Sequence, residues 1–193
     1  MRILLLHSHP VESSYGAALH KQTRESLQAG GHEVDDCNLY AENFDPVLSR
    51  QDRIIYHDHP ENTVLVQPYV ERLKKAEALV IVTPVWNFGF PAILKGYFDR
   101  VRLPGITFDL VDGKVVSKLG HIRKLAAVMT YGADPIRAFL AGDPPRKIVK
   151  RVIRAQIKPF APVTYLAHYD MNRSTDESRA KFLATVKQKM ERF

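Results

Sequence analysis

The stretch Thr83-Pro84-Val85-Trp86-Asn87-Phe88-Gly89-Phe90-Pro91 sets two aromatic side chains and an Asn between prolines. Prolines at both ends stiffen the path, so the backbone amides between them can be held in place. Such amides can hydrogen-bond the edge of a planar ring such as an isoalloxazine, and Trp86 and Phe88 can pack around it. A second stretch, Ser8-His9-Pro10-Val11-Glu12-Ser13-Ser14-Tyr15, offers three serine hydroxyls and an imidazole. Where such a segment opens a helix, unpaired amide hydrogens and a partial positive charge draw a phosphate. No G-x-G-x-x-G or G-x-x-x-x-G-K-S/T is present. That disfavours a dinucleotide held in the usual fingerprint and a nucleoside-triphosphate loop. A hydroxyl-rich loop of this length suits a single flavin phosphate.

These loops need a scaffold that presents them together. Arg2 to His7 is an apolar run too short for a helix, and reads as a buried parallel strand. Ser13 or Ser14 caps a helix over Tyr15 to Ala29, stopped by Gly30-Gly31. Glu33 to Leu39 is a more polar, outer strand, and Asn43 to Pro60 reads as irregular. A helix from Thr63 to Lys75 turns Val64, Val70 and Leu73 inward; Ala78 to Thr83 is the clearest buried strand. Pro91 opens the next helix, where its missing amide hydrogen costs little. Its buried face is Ile93, Leu94, Tyr97, Phe98 and Val101, with Lys95, Asp99, Arg100 and Arg102 outside. Asp112-Gly113 turns a hairpin between Thr107 to Leu110 and Lys114 to Val116. Leu125 to Thr130 and Val163 to Ala167 are further strands, and a helix covers Lys147 to Lys158. Ser174 and Glu177 frame a capping box for the last helix, on which Phe182, Leu183, Val186 and Met190 share a face.

Strands alternating with helices predict one α/β domain over residues 1–193. The expected architecture is flavodoxin-like: an open parallel five-stranded sheet of order 2-1-3-4-5, helices on both faces, and a small β-hairpin insertion. Such sheets bind ligands outside the carboxyl ends of their strands, at the topological switch point. Ser8 to Ser14, Thr83 to Phe90 and Thr130 to Pro135 therefore converge on one site.

Composition narrows the class. No apolar run approaches the ~20 residues of a membrane span, so no membrane insertion is expected. Met1 and Arg2 lead straight into a strand, so no secretory leader is expected. One cysteine, Cys37, rules out an internal disulfide and a cysteine-cluster metal site, and reads as a buried small residue in a cytoplasmic protein. The formal net charge is +7, yet the basic residues are scattered. The densest run, Arg146 to Arg154, alternates charge with Ile and Val at helical spacing, which reads as a solvated face rather than a nucleic-acid patch. His57, Asp58 and His59 read as a solvated loop, and no metal is expected.

From Pro84 to Val101 the chain runs P-V-W-N-F-G-F-P-A-I-L-K-G-Y-F-D-R-V. This resembles the signature of the NAD(P)H dehydrogenase (quinone) and azoreductase flavoproteins. Ser8-His9-Pro10 is similar to that family's first loop, and Thr130-Tyr131-Gly132-Ala133 to its hydroxyl-plus-glycine turn. The resemblance implies a flavin gripped by Ser8, His9, Ser13, Ser14, Tyr15, Pro84, Val85, Trp86, Asn87, Phe88, Thr130, Tyr131 and Gly132. It implies FMN, with FAD the alternative, and NAD(P)H as co-substrate. Hydride would pass through the flavin to quinones or azo and nitro aromatics, in one slot used twice and hence with ping-pong kinetics. It also implies a homodimer, with Asn43 to Pro60 and Leu103 to Leu119 as candidate contacts. Some family members carry a Tyr and His pair downstream of the third loop; Ala138 and Pro144 stand near those positions, leaving Tyr131 as the substitute catalytic candidate. The alternatives are a flavodoxin-like electron carrier, a redox-sensing regulatory subunit of a membrane transporter, and an FMN reductase.

Overall fold

The computed structural model describes residues 1–193 throughout. Strand β1 (Arg2–His7) leads into α1 (Tyr15–Ala29), β2 (Glu33–Asn38), α2 (Arg50–Ile54), a 3-10 turn (Glu61–Val66) and α3 (Gln67–Lys75). Then come β3 (Ala78–Val85), α4 (Ala92–Val101), the hairpin β4 (Phe108–Val111) and β5 (Lys114–Ser117), and β6 (Lys124–Tyr131). Short helices α5 (Pro135–Leu140) and α6 (Pro144–Lys147), a π turn (Ile148–Ile153), β7 (Val163–His168) and α7 (Asp176–Glu191) complete the chain.

The main sheet runs β2-β1-β3-β6-β7, and every pair in it is parallel. That is the 2-1-3-4-5 order expected, with the antiparallel β4–β5 hairpin standing apart. Successive side chains of a strand point to opposite faces, and the core divides accordingly. Leu4, Leu6, Leu79, Ile81 and Ala127 pack with α3, α4 and the π turn. Ile3, Leu5, Val80, Val82 and Val128 pack with Leu19 and Leu27 of α1 and Val186 and Met190 of α7. Cys37 is fully buried, and burial pushes its thiol pKa up. No helix is long and apolar enough to cross a membrane.

Several local expectations are corrected. Val64 is exposed rather than buried, because the chain before Gln67 is a 3-10 turn and Val66 takes the inward place. Pro68 explains the break: with no amide hydrogen it fits the first turn of α3 but not its interior. Arg100 is buried, not outside; its guanidinium meets Asp45 at 3.2 Å and Asp52 at 3.4 Å. Those carboxylates belong to the segment read as irregular, which holds α2, capped by Ser49 and Asp52. The cap of α7 is Thr175 with Ser178, one residue later than Ser174 and Glu177. Ser174 instead donates to the Met171 carbonyl at 2.9 Å. The helix expected from Lys147 begins at Pro144 and continues through the π turn, and α5 lies in a stretch left without structure.

Candidate functional site

The sheet order opens a crevice outside the carboxyl ends of the paired strands β1 and β3, whose chains leave toward opposite faces. At that point Ser8 donates its hydroxyl to Thr83 Oγ1 at 2.7 Å. Ser8 is fully buried, and this hydroxyl stitches two strand ends.

Beyond the stitch, the first loop enters α1. Ser14 caps the helix, accepting from the Ala17 amide at 3.1 Å. The Val11 amide donates to His9 Nδ1 at 3.1 Å, and Ser14 Oγ lies 3.0 Å from the same nitrogen. With Nδ1 accepting, a neutral His9 carries its proton on Nε2, a donor free for a ligand. The amides of Tyr15 and Gly16 have no acceptor, as the first turn of a helix leaves them. Tyr15 donates its hydroxyl to the Arg179 carbonyl at 2.9 Å, and burial raises its pKa to about 12. Ser13 is exposed at the rim.

The second loop is a tight turn. The Trp86 amide donates to the Gly89 carbonyl at 3.1 Å and the Gly89 amide to the Trp86 carbonyl at 2.8 Å. Between them Asn87 (φ 49°) and Phe88 (φ 55°) are both left-handed. Two consecutive left-handed residues characterise the type I′ hairpin turn. Glycine and asparagine adopt that conformation readily; phenylalanine does not, and its strain marks a constrained site. The turn leaves the Asn87 and Phe88 amides without an acceptor. Trp86 is 41% exposed and Phe88 38% exposed, and the His9 ring stands edge-on to the indole with centres 6.1 Å apart.

The loops enclose a cleft of about 330 Å³ lined by His9, Ser14, Tyr15, Gly16, Pro84, Val85, Trp86, Thr130, Gly132, Met171 and Asn172. Eight of the expected residues meet there: His9, Ser14, Tyr15, Pro84, Val85, Trp86, Thr130 and Gly132. Asn87 and Phe88 form the tip of the turn beside it. Gly16, Met171 and Asn172 were missed; the last two follow β7, and the carboxyl-end rule applied to that fifth strand would have found them. The Gly132 amide also has no acceptor.

Tyr131 lies elsewhere. Its side chain is buried, its hydroxyl donates to Asp143 Oδ1 at 2.7 Å, and it also meets the Tyr165 hydroxyl. Burial pushes its pKa far up, helped by those two partners.

The free amides at Tyr15, Gly16, Asn87, Phe88 and Gly132, around an aromatic-walled slot, fit a flavin. The phosphate would lie at α1 and the ring between the second and third loops.

Comparison with known proteins agrees with this fold. A family described as flavodoxin-like fold matches residues 1–190. An uncharacterized NAD(P)H oxidoreductase of Haemophilus influenzae is 30% identical over 69% of this chain and 66% of its own length. Rat NAD(P)H dehydrogenase (quinone) 1 is 24% identical over 98% of this chain and 76% of its own. A solved NAD(P)H:quinone oxidoreductase from Methanothermobacter marburgensis superposes with a TM-score of 0.84 at 23% identity, covering 99% of this chain and 98% of that one. The chain belongs to the flavodoxin-like fold family, alongside proteins named as NAD(P)H quinone oxidoreductases.

Proposed function

We propose that the protein is a flavin-dependent NAD(P)H oxidoreductase acting on quinones and related aromatic acceptors, azo and nitro compounds among them. The observation that carries this is the strained Trp86–Gly89 turn, which leaves two amides without acceptors beside an exposed indole at the switch point. Relatives named NAD(P)H dehydrogenase (quinone) support it, as does a similar FMN-dependent NADH-azoreductase of Bacillus anthracis solved with FMN, at a TM-score of 0.72 and 18% identity. FMN is the preferred cofactor and FAD the alternative.

The bound flavin supplies the two-electron chemistry between NAD(P)H and acceptor. The chain's residues hold and bias it. His9 Nε2–H and the Tyr15 and Gly16 amides bind the phosphate. The amides of Asn87, Phe88 and Gly132 favour negative charge at the ring edge. Trp86 and Tyr15 wall the slot against water. Tyr131 positions the third loop from below through Asp143. A single slot serving nucleotide and acceptor in turn gives ping-pong kinetics.

A homodimer is part of this reading. The hairpin exposes Leu110 (55%), Val111 (51%), Val115 (69%) and Val116 (47%). An isolated two-stranded ribbon is at best marginal in water, and a second copy would cover it. The test is the visible spectrum of the purified protein before and after NADPH, with the released cofactor weighed. A colourless protein that takes up neither FMN nor FAD overturns the proposal.

A further inference from the structure

A second, larger cleft of about 600 Å³ adjoins the flavin site. A ridge divides them, tied by the Asp170 amide donating to the Ala133 carbonyl at 3.0 Å. Gly132 and Asn172 face one side of it, Pro135 and Tyr169 the other. The second cleft is lined by Phe139, Arg146, Lys147, Lys150, Arg151 and Tyr169, among others.

We infer that this cleft binds the 2′-phosphorylated adenosine end of NADPH, and so sets a preference for NADPH over NADH. The inference rests on the oxidoreductase reading above. Four cations stand at i, i+1, i+4 and i+5, so Arg146–Lys150 and Lys147–Arg151 are like-charge pairs one turn apart. Such pairs destabilise a helix unless an anion offsets them. Only Arg146 has a carboxylate partner, Asp143, at 2.8 Å. Lys147, Lys150 and Arg151 have no carboxylate within ion-pair distance, and Lys147 Nζ lies beside Gly142, another residue of the lining.

Arg146 is held ready. Its Nη2 donates to the Tyr169 hydroxyl at 2.7 Å, and its guanidinium lies 4.6 Å from the centre of the Tyr165 ring. Asp143, the carboxylate in this wall, is ion-paired with Arg146 and accepts from Tyr131, which leaves Lys147, Lys150 and Arg151 as the unpaired cations for an incoming phosphate. Phe139, also in the lining and 77% exposed, offers a face for a purine. A dinucleotide with its nicotinamide in the first slot would have to cross this ridge to reach these groups. A phosphomonoester dianion surrounded by guanidinium and ammonium donors gains charge-assisted hydrogen bonds that a bare ribose hydroxyl cannot make.

The test is calorimetric titration of the flavin-loaded, oxidised protein with adenosine 2′,5′-bisphosphate and with adenosine 5′-monophosphate. The bisphosphate is expected to bind about tenfold more tightly or better. In Lys150→Gln/Arg151→Gln that difference should vanish, and the ratio of kcat/KM for NADPH to that for NADH should fall about tenfold. Both positions are exposed, and the independent single variant Lys147→Glu should lower the same ratio. Equal binding of the two nucleotides by the wild-type chain overturns the inference, as does a double variant that keeps the difference. A variant effect on sulfonated acceptors relative to uncharged ones, with the nucleotide ratio intact, also overturns it. Tight bisphosphate binding to a protein whose flavin neither NADH nor NADPH bleaches would sink the oxidoreductase reading and leave the phosphate site standing. Bleaching by both, without discrimination in binding, would do the reverse.

Discussion

Ser8 donates its hydroxyl to Thr83 Oγ1 at 2.7 Å, joining the residue just past β1 to the carboxyl-end part of β3 where their chains diverge. Thr83 in turn donates to the Pro84 carbonyl at 3.1 Å. This buried pair fixes the spacing of the two loops that wall the candidate site. Replacing Ser8 with Ala removes the donor, while Thr83 keeps its own acceptor. The expected cost is about 1 kcal/mol in urea unfolding, with FMN affinity changed less than in Ser14→Ala. A larger affinity loss in Ser8→Ala would mean that its hydroxyl reaches the phosphate.

The Trp86–Gly89 turn carries strain that glycine would relieve. Phe88→Gly is expected to stabilise the free protein by up to ~1 kcal/mol. The same change loosens the amides proposed to meet the flavin ring, so FMN affinity should fall. Paired unfolding and flavin titrations check both halves; a destabilised variant would show that Phe88 packs more than it strains.

Trp86 is the single tryptophan of the chain and stands 41% exposed beside the cleft. FMN binding should therefore quench most of the intrinsic tryptophan fluorescence, with the same midpoint as the change in flavin absorbance. Emission that persists at saturating FMN would place the ring elsewhere.

His7 lies flat against His20, ring centres 4.1 Å apart, and is buried. Burial, then the neighbouring His20, lowers its pKa from 6.5 to about 4. Between those values the unfolded chain binds a proton that the folded one does not. Stability is thus complete above pH 6.5 and lost as pH falls toward 4, by ~3 kcal/mol over the window. Asp36 is held below its usual range by bonds from His20 and Arg24, working against its partial burial, and adds a further loss at lower pH. Urea midpoints from pH 7.5 to 4.5 measure the slope, and His7→Leu should flatten it.

A Cβ on Gly96 would lie 2.2 Å from the Pro46 carbonyl oxygen and 2.5 Å from Pro46 Cα. Both are backbone atoms and cannot swing away. Gly96→Ala should therefore cost about 1–3 kcal/mol despite the helix preference of alanine. A neutral or raised melting temperature would show that the 43–60 segment yields easily.

The architecture was legible because it rests on periodicity. Continuous apolar runs such as Leu79 to Val82 announce strands buried on both faces, and the Pro91 and Ser14 signals announce helix starts. Strand order followed, since the three most apolar strands must lie at the centre. The loops at their carboxyl ends followed from that order, which is why His9, Trp86 and Thr130 could be gathered before any coordinates. What periodicity omits is the partner across the gap. A serine in a phosphate-like loop and one tying two strands look the same in sequence, and only packing against Thr83 separates them. Arg100 reads as a surface cation until Asp45 and Asp52 fold over it. Likewise, the basic run from Arg146 reads as a solvated face until the β6 and β7 loops build a cleft against it. Local sequence specifies the backbone geometry and the apolar face of each element, because those energies act over a few residues. The environment of a polar side chain depends on groups brought near by distant chain segments, and only the tertiary structure supplies them.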